Sequence, residues 1–222
     1  MTEISIDNLL RSKRRTIGFE ITNDAKLVVR APIYVSLGEI NNLLIKKANW
    51  ILEKMNLVSR RNIQYSPKQF INGESFYYLG KPYRFKVMDS DKISLTDYLE
   101  FPKALLPYAE KHIVQWYKAL AYKKIKERVD YYSQLIGLKY TSIKISDATK
   151  RLGSCSSKGS LNFSWRLIMT PLEIIDYVVV HELIHLEEKN HSSKFWSKVR
   201  ILLPNYMKHK NWLKENGNLL NI

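Results

Sequence analysis

One run, TPLEIIDYVVVHELIHLEE at residues 170–188, constrains this chain more than any other. Thr170 is placed to cap a helix, with Pro171 as its first residue and Glu173 completing a capping box. The segments IIDYVVV and LIHL make that helix apolar nearly all round, the pattern of a helix buried inside a globular core. Yet it carries His181, Glu182 and His185, and buried imidazoles and carboxylates need partners. Residues four apart share one face of a helix, so His181 and His185 point the same way with Glu182 beside them. Two imidazoles one turn apart can hold one zinc ion, and the adjacent carboxylate can reach a water on that ion, which is the mechanical content of H-E-x-x-H.

A third ligand stands at His191. A continuous helix would carry it ~9 Å further along the axis and roughly 240° around, out of reach of the same ion. The helix must therefore end between Leu186 and Asn190, and the chain must fold back. Asn190 can take the left-handed conformation such a stop uses. Ser192 or Ser193 can cap the next helix, which turns Phe195, Trp196 and Val199 to the core. The histidine spacing is that of the metzincin pattern, but Glu188 stands where that pattern has Gly, so the turn must be built differently. Glu182 is the expected general base. Arg166, Tyr177, Tyr206 and His209 are open candidates for stabilising the oxyanion. His112 lacks any such setting.

The rest of the chain is read around this helix. TIGFEITNDAKLVVRAP alternates on both sides of Asn23-Asp24 and predicts a hairpin. A helix capped by Ser36 and Glu39 runs on through Met55. The aromatic stretch 62–87, broken at Asn72-Gly73 and Gly80-Lys81-Pro82, predicts strand, turn, strand. Residues 108–136 form one long helix with Ile113, Trp116, Leu120, Ile125, Val129 and Tyr132 on its apolar side, stopped by Gly137. Two strands follow, one holding Ile143 and Ile145, the other Leu161, Phe163 and Trp165, with a polar loop between. Two short helices, near 192–203 and 205–215, close the chain. The expected organisation is an α+β chain, with a mixed strand and helix region at 1–101 and a domain at 102–222. That domain has a small antiparallel sheet beside the H-E-x-x-H helix.

The 14 Tyr and 5 Trp argue against disorder. The single cysteine, Cys155, rules out an intrachain disulfide; it is expected to pack rather than to ligate. The N-terminus has charges where a secretion signal needs an apolar run, and no apolar stretch reaches the roughly 18–20 residues of a membrane span. A cytoplasmic protein without a membrane partner is expected. The net charge is +15, and residues 101–222 hold 20 Lys and Arg against 10 Asp and Glu, so nucleic acid is an expected partner class to weigh.

The segment RLGSCSSKGSLNFSWRLIMTPLEIIDYVVVHELIHLEEKNHSSKFW, and less strongly YLGKPYRFKV, resembles the zinc-metallopeptidase domain of the YgjP-like family, within the minigluzincin and SprT-like group of zincins. Arg151, Gly153 to Ser156, Gly159 and Leu161 to Phe163 match one part of the family pattern. His181 to Leu183, His185 and Leu186 match the second, and Asn190 to Ser192, Phe195 and Trp196 the third. Leu152 departs from it, since Trp is usual there. The resemblance implies a zincin-like fold, one zinc ion on His181, His185 and His191, a catalytic Glu182 and a peptide or protein substrate. The strand GSLNFSWRL, through an exposed edge and through Asn162 and Arg166, is the candidate substrate-binding element. Two other expectations stay open: a DNA-associated protease of SprT-like kind, and a metal-binding interaction module without turnover.

Overall fold

Alternating apolar residues build the first sheet. Strand β2 (Gly18–Ile21) pairs antiparallel with β3 (Leu27–Pro32), as the hairpin pattern requires. A strand not legible in the sequence, β1 (Asn8–Ser12), adds to the other edge of β3 in parallel. The computed structural model describes residues 4–22, 24–64, 67–149 and 151–220, so Asn23 of the expected turn lies outside the described residues; Ala25 beside it has a φ of 61°. The capping box at Ser36 and Glu39 forms as expected and opens α1 (Leu37–Lys46). The helix read as continuous is broken at Lys47, and α2 (Ala48–Gln64) follows. Leu27, Val29, Ala31, Ile40, Leu44 and Ile51 close a core of their own.

The chain divides into two compact units at Ser66 and Pro67, not near residue 101. The reason is the packing of the second sheet, β4 (Ser75–Tyr78), β5 (Lys81–Met88), β6 (Ser94–Leu95) and β7 (Tyr98–Pro102), ordered β4-β5-β7-β6. Its inward residues Phe76, Phe85, Leu99 and Phe101 belong to the same core as Ile113, Ile125 and Val129 of α3 (Ala109–Ile136). A boundary at residue 101 would cut that core. Gly137 ends α3 in the left-handed region at φ 69°, where a residue without Cβ costs least.

The third sheet holds β8 (Ser142–Ser146), β9 (Gly153–Cys155) and β10 (Ser160–Ser164) in the order β8-β10-β9. It is mixed rather than antiparallel: β10 runs parallel to β8 and antiparallel to β9. The loop read between two strands thus contains a third, too short to show an alternation. It takes one edge of β10 while β8 takes the other, so β10 has no free edge; β8 and β9 are the edge strands, and β9 is the one beside α4.

Helix α4 (Leu172–Ile184) lies among α3, α5 (Ser193–Leu202), α6 (Tyr206–Asn216) and β9. Every residue from Ile174 to Val180 is buried, as the all-round apolar pattern demands. Its start is set differently from the capping box expected. Thr170 gives its hydroxyl to the carbonyls of Leu167 and Pro171, at 2.8 and 3.3 Å, closing the 3-10 turn before the helix. The turn is tied to the second sheet by Leu79 N–H to Ile168 O (2.8 Å) and Gly80 N–H to Met169 O (3.1 Å). A Cβ on Gly80, whose φ is +78°, would lie 2.7 Å from Pro171 Cγ, so this contact requires glycine. Asp176 meets Arg128 of α3 through two hydrogen bonds, at 2.5 and 3.0 Å, and so fixes α4 against the long helix. Among the described residues no helix is long and apolar enough to cross a membrane.

Candidate metal centre

Helix α4 ends at Ile184, one turn earlier than Asn190 would have ended it, with His185 as its C-cap. The following turn closes on N–H groups of Leu186, Glu187 and Glu188, which donate to Leu183 O and Ile184 O. Asn190 is not in the left-handed region. Charge takes the place of the missing glycine. Glu188 accepts from Lys194 at 2.8 Å and Lys198 at 3.0 Å, and Lys198 also meets Glu187 at 2.5 Å. Lys189 Nζ donates to the carbonyls of His185 and Leu186, at 2.9 and 3.1 Å. Ser192 then caps α5, accepting from Phe195 N–H at 3.3 Å.

This reversal brings His191 back to the helix face. One ring nitrogen from each of His181, His185 and His191 lies within 4.8 Å of the others. His181 Nε2 and His191 Nε2 face each other at 2.9 Å. Two imidazoles on one tetrahedral zinc would stand about 3.3 Å apart, so the pair needs to open by only a few tenths of an ångström. The buried Phe195 ring backs all three, at centroid distances of 4.9, 4.7 and 4.8 Å. Trp196 stacks on His191 at 5.6 Å and on Tyr206 at 5.2 Å.

The three rings are not supported equally. His185 Nδ1 sits 2.9 Å from Glu188 O; donating there leaves its Nε2 as a lone-pair donor, the usual arrangement of a metal-bound histidine. His181 Nδ1 is buried and has no hydrogen-bond partner among the described residues. Burial, with His185 and His191 adding to it, holds the His181 imidazole down to about 3. The neutral imidazole is the form that ligates a metal. Three such donors converging on one point fit a divalent ion of the zinc kind.

Glu182 is buried in a position that Gly153 makes possible. A Cβ on Gly153 would stand 2.6 Å from Glu182 Oε1 and 2.7 Å from its Cγ, so the carboxyl lies directly on the β9 backbone. Burial pushes that carboxyl up to about 7, with the Arg151 charge pulling it back. A recess of about 300 Å³ opens here, walled by Gly153, Ser154, Cys155 and Lys189 together with Glu182 and the three histidines.

Cys155 packs against the main core, donates to Ser156 O at 3.4 Å and has its thiol pushed up by burial; it is not one of the converging donors. Asn162 and Arg166 do not line the recess. Asn162 is on β10 with Oδ1 buried, and Arg166 donates to Asp147 O at 3.0 Å and lies over the Trp165 ring at 4.4 Å. Of the other oxyanion candidates, Tyr177 has its ring 6.0 Å from that of His181 and 6.4 Å from that of His209. Gly153 and the edge strand it belongs to were missed as parts of the site; the G-S-C pattern was their signal.

Among solved structures, the chain is similar to the metallopeptidase zymogen of Pyrococcus abyssi abylysin, at 20% identity and a TM-score of 0.38, over 40% of this chain and 90% of that one. It is also similar to the metallopeptidase zymogen of Methanocaldococcus jannaschii jannalysin, at 22% identity and 0.37, over 40% and 92%. No curated protein matches its sequence. Residues 15–216 match the family described as YgjP-like, metallopeptidase domain, and the chain belongs to that family.

Proposed function

We propose that this protein is a zinc-dependent metallopeptidase in which His181, His185 and His191 hold one ion and Glu182 is the general base. The observation that carries the reading is the meeting of three imidazole nitrogens within 4.8 Å on the wall of a recess that Glu182 also lines. When bound in such a site, zinc with an open fourth position acidifies water and polarises a carbonyl. The chain's own residues do the rest. His185 is held in one tautomer by Glu188 O, so it presents Nε2 to the ion. Glu182 takes a proton from the attacking water on a carboxylate oxygen and passes it to the leaving amine. The absence of a Cβ on Gly153 leaves the room in which the Glu182 carboxyl lies against β9. The unpaired edge of β9, rather than β10, is where an extended peptide can add as a strand beside the recess.

The test is Glu182→Gln in the zinc-loaded protein, assayed on a broad peptide library. Turnover should fall about 10²–10⁴-fold with one zinc still bound per chain. A variant as active as its parent removes Glu182 from the mechanism. A zinc-loaded parent that cleaves nothing leaves the interaction-module reading in its place.

A further inference from the structure

A second recess, about 230 Å³, also borders Glu182. It shares Gly153, His181 and Glu182 with the first, and the remaining walls of the two differ in kind. The first is completed by Ser154, Cys155, His185, Lys189 and His191. The second is completed only by Leu152, Tyr177, Val178 and Leu213. Any group that reaches Glu182 therefore lies between a polar end and an apolar end.

We propose that the apolar recess receives one side chain of the peptide substrate, next to the bond that is cut, and that Leu152 and Leu213 set the size it accepts. This rests on the peptidase reading above. The recess is smaller than the ~300–1,000 Å³ of sites that enclose a whole small molecule, and it abuts the general base. Its floor is firm, because Tyr177 and Val178 are buried on α4, a helix packed on every side. Its rim comes from two other elements: Leu152 directly before β9, and Leu213 on α6, both half-buried. A charged substrate side chain entering here would lose its water, and the walls offer only Glu182, the His181 ring and Tyr177 in exchange, with no charged group besides the general base itself. An uncharged apolar side chain gains from the transfer.

The experiment compares the zinc-loaded full chain with Leu213→Ala and Leu152→Phe on one mixed peptide library, reading the ratio of products within each sample. That ratio does not depend on how much of a variant folds. The parent should favour Leu, Met, Ile or Val over Asp, Glu or Lys at one position flanking the cut by at least about tenfold in kcat/KM. Leu213→Ala should shift the preference at that position toward Phe by about tenfold, and Leu152→Phe toward Ala. A charged residue preferred there, or preferences unchanged in Leu213→Ala, overturns the proposal while leaving the peptidase reading in place. Absence of any cleavage by the zinc-loaded parent removes both.

Discussion

The two regions that supply the histidines are held by opposite physics. His181 comes from α4, where neighbours from Ile174 to Val180 are all buried and close packing, with the Arg128–Asp176 pair, fixes the helix. His191 comes from an exposed turn, held by Lys194 and Lys198 on Glu188 and by Lys189 on two carbonyls. The difference also shows at the ring nitrogens: His185, at the boundary, is oriented by Glu188 O, whereas His181 has only packing behind it. A rigid helix sets where the site is, and a charged turn decides whether it closes. Changes in the helix region should therefore damage catalysis or the fold, and changes in the turn should act on metal retention.

The sharpest way to break the comparison is Gly153→Ala. Because α4 is packed on every side, it cannot retreat from a Cβ standing 2.6 Å from Glu182 Oε1, and the carboxyl itself must move. Peptidase activity should fall about 10²-fold or more while zinc stoichiometry and thermal midpoint stay close to the parent's. Full activity in this variant means that the helix yields, and the contrast fails.

A smaller effect is expected at the pair that anchors α4 to α3. Asp176→Ala leaves Arg128 partly buried and without its two-bond partner. Denaturant unfolding should register a loss of about 3 kcal/mol. The same fold with unchanged stability would show that apolar packing needs no help from this pair.

The smallest change sharpens the other half. Glu188→Gln removes the charge that Lys194 and Lys198 share but keeps the backbone carbonyl that faces His185. Zinc affinity, measured by chelator competition, should weaken about tenfold, with unfolding free energy little altered. In the parent, affinity should also decline with added salt, because Lys194 is exposed and its attraction to Glu188 is screened. Affinity equal to the parent's would mean that hydrogen bonds of the backbone alone hold the turn.

How much of this was legible follows the same division. The buried helix, its histidine spacing and the need for a reversal before His191 are dictated by periodicity, and so is α3 with Gly137 at its end. What escaped was set by tertiary context. β1 and β9 are short strands whose residues gain their order from β3 and β10, and no alternation announces them. The unit boundary escaped because β5 and β7 share a core with α3, a partnership that sequence distance hides. The turn after α4 needs no left-handed residue because Lys189 within it and Lys194 and Lys198 on the next helix hold it. Leu213 reaches the recess from α6 with no motif to mark it. Asn162 matched a pattern, yet its strand is central in the sheet rather than at the edge.

Metal content of the purified protein beside that of His191→Ala tests the central claim most directly. The claim that a surface turn completes the trio predicts one zinc per parent chain and its loss from the variant, with the fold retained. A variant that binds zinc as tightly as the parent, or a parent that takes up none, would contradict it.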